Sequence, residues 1–478
     1  MSLTSALSNA RSGLAAATRS AEIVSSNVAN ALTEGYGRRE LALSSAVLGR
    51  DGAGVRISGV ERVVNQVAIN ERRLADAAHG FARQDALFYG RLEAALGSPE
   101  TATSLTGRIA TLEASLVAAA ASPQSLPQLG AVASAAQNLA QSINSASGVI
   151  RAEREAADRS IGDQVALINS NLSAVADIND QIRTQSTSGF DTSALKDQRQ
   201  QLIDQISDLI PIKEIPRDHE RVALITTNGT ILVEDHAAQF GFETTPTIVP
   251  EMTLATGALS GLTISGAGSL VGSALSAISG GTLAATFAVR DQTSVDAQAQ
   301  LDGLARDLIE RTSDPLVDST LAGGAGLFSD ADAPFNPTTE TGLASRLSVN
   351  SRVDPAQGGE YWRIRDGIGA VIQGPPGDIS TLSSLADTMR ATSSFSSKPP
   401  FSSTASAFQS TMGAARFQSE SDVAFSLAQV TAFGDAERSV GVDTDQEMQK
   451  LLSIEQSYAA NAKVIEAIDQ MMQSLLRI

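Results

Sequence analysis

At 478 residues the chain is too long for one small domain, and at roughly 150 residues per unit it implies two to four of them. Its 53 acidic against 35 basic residues leave a net charge of −18, which argues against nucleic acid as a partner, and the absence of cysteine excludes disulfides and thiolate metal sites. A cysteine-free chain also suits work outside the cell, where it would not depend on oxidative folding. Aromatic residues make up 4%, while alanine, serine and leucine abound, a mixture that favours long helices packed through small side chains.

The opening "MSLTSALSNARSGLAAATRS" lacks a basic region followed by a continuous apolar run, so no cleaved general secretory signal is expected. No window holds the roughly 18 consecutive apolar residues of a membrane span, so no membrane insertion is expected either. Leu3, Leu7, Ala10, Leu14, Ala17, Ala21, Val24, Val28 and Ala31 alternate spacings of four and three, the mark of a helical seam. At "SSNVANALTEGYGRRE", Ser25 to Glu40, this helix dissolves into asparagine, glycine, tyrosine and arginine. Gly35 suits a positive φ, and Asn27 and Asn30 suit bonding of the free backbone groups at the helix end. A glycine-punctuated extended segment follows, and helical periodicity returns from Gln66 to Leu96.

The next helical tract runs from about Leu129 to Arg183, with Ile161, Val165, Ile168, Leu172, Val175 and Ile182 on one stripe. "TSALKDQRQQLIDQISDLIP" places Leu195, Leu202, Ile206 and Leu209 on one face and stops at Pro211, which cannot continue a helix. At "HERVALITTNGTILVEDH" the period changes to two around Asn228-Gly229, a hairpin signal that opens a β-rich region. "GGTLAATFAVRD" reads as its last strand before a helix from about Val295 to Thr312, and "RLSVNSRVDP" and "YWRIRDG" as further strand or loop. The serine-rich, proline-containing "SSFSSKPPFSSTASAF" leads back to helix. The chain then closes on a second seam, Leu451, Ile454, Tyr458, Asn461, Ile465, Ile468, Met472 and Leu475.

Two half-seams at opposite ends most simply satisfy each other. The expected fold is therefore mainly α with an inserted β-rich domain: terminal helices paired as a coiled coil, a long helical-bundle rod domain and an outer β domain. The units would be 1–75 with 436–478 (terminal), 76–215 with 290–320 and 404–435 (rod), and 216–289 with 321–403 (outer β). Because alanine buries little area, the terminal pair should be marginal alone, its ends frayed in the free chain and ordered on assembly.

Chemistry has little support. His79, His219 and His236 stand far apart and form no metal-ligand spacing, "GAGSLVG" at Gly266 to Gly272 is one residue too long for a dinucleotide fingerprint, and "GGAGLF" lacks a phosphate-loop lysine. Asp197, Asp204 and Asp208 share a helix face and read as a solvated one; Tyr361 and Trp362 read as β-core packing. No catalytic residue, cofactor or metal is expected.

Ser25, Asn27, Val28, Ala29, Asn30, Thr33, Gly35, Tyr36 and Arg38 form a motif that resembles the signature of the axial proteins of the bacterial flagellum, the rod, hook and hook-associated proteins. Gly441, Val442, Asp443, Glu447, Gln456, Tyr458, Ala460, Asn461, Ala462 and Asp469 are similar to that family's closing motif. "ALKDQRQQLIDQISDLIPIKE" resembles the hook-associated branch, the first hook–filament junction proteins, although Gln200 stands where an acidic residue is commoner. The resemblance implies an extracellular structural protein, exported from the cytoplasm by the flagellar type III system. It would form a homo-oligomeric ring on the hook and bind hook protein, a second junction protein and, through its C-terminal helix, an export chaperone. The residues expected to carry assembly are Leu3, Leu7, Leu14, Val24, Asn27, Val28, Asn30, Gly35, Tyr36 and Arg38, with Leu451, Ile454, Tyr458, Asn461, Ile465, Ile468, Met472 and Leu475 at the other end. The alternatives are hook or another axial protein, or an axial scaffold whose middle domain is enzymatic or adhesive.

Overall fold

The computed structural model describes residues 3–48, 51–266, 278–390 and 398–477. The glycine-rich piece from 267 to 272 and the serines before 398 lie outside the described residues. Helix α1 (Leu3–Ala29) is followed by the antiparallel hairpin β1 (Arg38–Leu48) and β2 (Asp51–Val63), which the sequence suggested only as an extended segment. Helix α2 (Gln66–Leu96) starts where the Asn65 side chain accepts from the Ala68 amide at 3.1 Å. Helix α3 (Leu105–Ala121), capped by Ser104, was not anticipated; it buries the stripe Leu105, Ile109, Leu112 and Leu116. Helix α4 (Leu126–Thr187) has proline in its first turn and 62 residues, about 90 Å at 1.5 Å per residue. Helix α5 (Ser193–Leu209) stops two residues before Pro211.

The β content is smaller than expected and scattered. Strands β3 (Ile212–Pro216), β4 (Val222–Thr226) and β5 (Ile231–Val233) form one small sheet, with β4 and β5 turning through the Asn228-Gly229 pair. Strands β6 (Gln239–Gly241) and β7 (Thr263–Ser265) make a second pair, and β8 (Phe328–Asp330) with β9 (Leu347–Val349) a third.

"GGTLAATFAVRD" is not a strand. It is helix α6 (Gly281–Ala288), which runs through a π-helical stretch (Val289–Thr293) into α7 (Ser294–Thr312). Its apolar run is buried as helix because Leu283, Ala285 and Phe287 pack among the helices and strands around α4, and tertiary packing overrides a short β-like pattern. The region 321–403, expected to be part of an outer β domain, holds β8 and β9 and the helices α8 (Leu343–Arg346), α9 (Arg363–Asp366) and α10 (Ser380–Arg390). Tyr361, just before α9, faces Gly130 of α4 and not a β-core, and Trp362 beside it is buried with the Arg363 guanidinium over its ring. The chain ends in α11 (Phe401–Arg438) and α12 (Thr444–Leu476).

One helix serves two cores. The first half of α4 supplies Leu129, Val132, Leu139, Ile143 and Ile150 to a core shared with α3, α7, α10, α11 and the end of α2. Its second half supplies Ile161, Val165, Ile168, Leu172 and Val175 to a core shared with α5, β3 to β7 and α6. Where they meet, Asp158 and Arg290, both fully buried, form an ion pair at 2.7 Å. Arg290 sits 5.4 and 5.0 Å from the ring centroids of Phe242 and Phe287, which touch each other edge to face, and donates to the Ser260 carbonyl. Arg154 donates to the carbonyl of Arg290 at 3.0 Å, satisfying a group that the π-helical stretch frees. Replacing Arg290 by methionine leaves the Asp158 carboxylate buried and uncompensated. We expect a loss of about 3–5 kcal/mol, read as a lower urea midpoint, and an unchanged midpoint would refute this role.

Candidate assembly site at the terminal helices

Helix α12 begins at Asp443, whose carboxylate accepts from the amides of Asp445 and Gln446 at 2.9 and 3.2 Å, and Asp445 and Glu447 in its first turn complement the helix dipole. It packs antiparallel to α1: Asn27 meets Glu447 at one end, and midway Gly13 lies against Asn461. A Cβ on Gly13 would sit 2.8 Å from the Asn461 amide nitrogen, so a larger residue there must displace the Asn461 side chain. Asn461 itself donates to the Ser457 carbonyl of its own helix at 2.9 Å.

Asn27 is fully buried and uses its whole amide. Its Oδ1 accepts from the Tyr36 hydroxyl at 2.9 Å and the Arg39 amide at 3.0 Å; its Nδ2 donates to the Arg39 carbonyl at 2.9 Å and to Glu447 Oε2 at 3.0 Å. One side chain thus joins α1, β1 and α12. Glu447, itself buried, also holds Lys450 at 3.0 Å, and Lys450 reaches Glu40 at 3.2 Å. Burial pushes the Glu40 carboxyl up, but Lys450 and Arg38 outweigh it and hold it below the usual range. Arg38 donates to Glu40 at 2.6 Å and to the Val440 carbonyl at 3.4 Å.

The turn after α1 docks on α5. Gly35 has φ +77°, and a Cβ there would also meet Gln201 at 2.8 Å. Asp197 accepts from the Gly37 amide (2.9 Å), Arg62 Nε (2.6 Å) and Arg39 Nη2 (3.0 Å), while the Arg39 guanidinium stacks 4.9 Å from the Tyr36 ring centre. Arg62 also donates to Gln200, which donates to Glu437 at 2.9 Å near the end of α11. Glu437 in turn holds Arg72 at 2.6 Å, and Arg72 and Arg73 of α2 converge on Asp204 at 2.8 and 2.7 Å.

Asp197 and Asp204 are therefore sockets for arginines and not a solvated face. Their spacing of seven residues put them on one side of α5, but the arginines that fill them lie 125 or more residues earlier, so nothing local marked the pairing. Asp208 has no such socket role; burial pushes its carboxyl up, with Arg83 and His79 pulling the other way.

Among the seam residues, Val24 and Ile468 are buried; Leu3, Leu7, Leu14, Val28, Leu451, Ile454, Asn461 and Ile465 are half-buried; Tyr458, Met472 and Leu475 are exposed. Asn30, half-buried, ties its side chain back to the Ser26 carbonyl at 2.9 Å. Met448, Leu452, Val464, Met471 and Leu476 of α12 are exposed as well. A groove of about 460 Å³ lies along the pair, lined by Ala17, Thr18 and Ala21 on one side and Leu451, Ile454 and Tyr458 on the other. No group of three or more histidine, cysteine, aspartate or glutamate residues is arranged to hold a metal among the described residues, and no described helix is long and apolar enough to cross a membrane.

Three family models match the chain: "Flagella basal body rod protein" over residues 7–36, "Flagellar hook-associated protein FlgK helical domain" over 89–315, and "Flagellar basal body rod FlgEFG protein C-terminal" over 437–478. Flagellar hook-associated protein 1 of Salmonella typhimurium is 26% identical over 244 residues, 50% of this chain and 44% of that protein; the Bacillus subtilis protein of the same name is 25% identical over 240 residues, 48% and 47%. The chain is a relative of flagellar hook-associated protein 1. It spans about half the length of the curated relatives it matches. The solved flagellar hook junction protein FlgK from Burkholderia pseudomallei aligns at 22% identity with a TM-score of 0.45, over 54% of this chain and 46% of that one.

The three matched segments meet at the site. Asn27 and Tyr36 come from the first, Asp197 from the second, Glu437 and Glu447 from the third. Asp197→Ala should release the turn, at a cost of about 2–3 kcal/mol for the lost charged hydrogen bonds, and speed proteolysis between residues 31 and 65. Unchanged cleavage would contradict the docking. Asn27→Ala leaves Glu447 and the Arg39 backbone short of partners, at a cost of about 1–3 kcal/mol. Amide exchange across α1 should accelerate, and protection equal to the parent would count against this reading.

Proposed function

We propose that the chain is a structural component of the bacterial flagellum, forming the junction layer between hook and filament. The observation that carries this reading is the convergence of the three matched segments on one buried foot, Asn27, Asp197 and Glu447, from which α12 extends with apolar side chains open on its outer face. A helix pair with such a surface is half of a packing arrangement that neighbouring copies complete. In this reading the α1–α12 pair winds as a coiled coil in the axial core, a ring of copies sits on the hook, and the helical body with residues 216–289 and 321–403 faces outward. Hook protein lies below the ring and a second junction protein above it. The chain reaches that place through the flagellar type III export route, with a cytoplasmic chaperone covering the apolar face of α12 beforehand.

Cells lacking the gene provide the test, examined by electron microscopy with flagellin assayed in the medium. Bare hooks with flagellin leaking into the medium are the expected result. Missing hooks would move the protein down the axis to rod or hook, and intact filaments would refute an axial role. For the chaperone, deleting residues 446–478 should abolish co-purification, and retained binding would place its site elsewhere.

A further inference from the structure

Helices α2 and α11 pack antiparallel along most of their length. Arg72 holds Glu437 at 2.6 Å at one end, and His79 meets the Ser426 hydroxyl at 3.2 Å further along. At the other end Arg416 holds Glu93 at 3.0 Å, and Gln409 donates to the Gly97 carbonyl at 3.3 Å. Between these ties sits Asp85, whose Oδ1 is cut off from solvent and has no hydrogen-bond donor. Folded proteins rarely leave an acceptor in that condition, and a carboxylate there has lost the hydration of that oxygen, while the residue as a whole is half-buried.

The surroundings do not offset the charge. From α11 the facing group is Asp422, a second carboxylate, which accepts from Gln418 of its own helix at 3.0 Å. Tyr89, one turn further along α2, and Asp296 of α7 complete the set; burial, Asp85 and Asp296 together push the Tyr89 hydroxyl up. The cations nearby act elsewhere. Arg83 and His79 act on Asp208, Arg416 is held by Glu93 and Glu420, and Arg290 by Asp158 and Asp291.

We propose that Asp85 is a proton-operated latch in the α2–α11 seam. With the carboxyl protonated, the seam closes over a neutral group able to donate a hydrogen bond; with it ionised, repulsion from Asp422 and lost hydration loosen the middle of α11. Because α11 leads through residues 439–443 directly into α12, loosening it also loosens the base of the terminal pair. Burial and then Asp422 push the Asp85 carboxyl up to about 6 from an ordinary 3.8. The folded chain thus holds this proton more tightly than the unfolded one. The stabilisation is full below the ordinary value and is lost as pH rises through about 6.

The test is amide exchange of α11 segments in the full-length chain at pH 5 and pH 7.5, corrected for intrinsic rates, in the parent, Asp85→Asn and Asp422→Asn. The parent should lose protection across residues 415–430 by several-fold and at most about tenfold between the two conditions, since a shift from 3.8 to about 6 leaves about one pKa unit of linkage between pH 5 and pH 7.5 before discounting for solvent at the other oxygen. Asp85→Asn should be equally protected at both. A parent insensitive to pH, or an asparagine variant that keeps the parent's sensitivity, overturns the latch. Should Asp85→Asn fail to fold, Asp422→Asn decides: it must slow exchange at pH 7.5 and leave it unchanged at pH 5, and an equal effect at both overturns the proposal.

Discussion

Everything in this chain depends on bringing two segments 420 residues apart in sequence to one point, and the bond that does so is the 3.0 Å contact between Asn27 and Glu447. A loop of that length is entropically costly to close, and an alanine-rich helix such as α1 buries too little area to hold it closed alone. The answer lies in polar groups made specific by burial. Asn27 has no solvent to exchange with, so its four hydrogen bonds either form together or leave several groups unpaired at once. This all-or-none quality fixes register where apolar contact between small side chains would not.

The next layer repeats the device with charge. Asp197 and Asp204 on α5 gather arginines from β1, β2 and α2, and Gln200 and Glu437 carry the network across to α11. Partly buried arginine–carboxylate pairs with fixed fork geometry contribute orientation more than raw stability. The terminal helices therefore leave the body at a set angle, and the apolar side of α12 remains open instead of folding back. Deeper in the body the Asp158–Arg290 pair plays the corresponding part between the two cores that share α4. At the Asp85–Asp422 pair the ties that hold the two ends of the α2–α11 seam give way to two carboxyl groups, the place of the proposed latch.

How much of this was legible in the sequence varied with the range of the signal. The long seams and the stripe from Ile161 to Ile182 are periodic over many turns, so α1, α4, α5 and α12 stood out with bounds close to those observed. Asn228-Gly229 announced its hairpin through local turn chemistry. Local signals failed where burial over most of a short run blurred its periodicity: the run at Gly281 to Ala288 looks like strand and is helix, because packing against α2, α4 and α5 decided it. Tyr36, Asn27 and Gly35 were visible as a motif, yet their partners Asp197, Gln201 and Glu447 were not, since an acceptor far away in sequence leaves no trace in spacing. Asp197 was even misread as solvated, because the arginines that reach it, Arg39 and Arg62, come from β1 and β2 and not from its own helix.

The most direct test of the central claim is a cross-link between the terminal helices. The chain has no cysteine, so Gly13→Cys with Asn461→Cys introduces a clean pair where Gly13 of α1 lies against Asn461 of α12. Mild oxidation of dilute protein should give a disulfide within one chain, seen as a reducible mobility shift of the monomer, while Gly13→Cys with Met448→Cys, out of register, should give none. Bonds formed only between chains, or formed equally by both pairs, would mean that the ends of one molecule do not meet in this register.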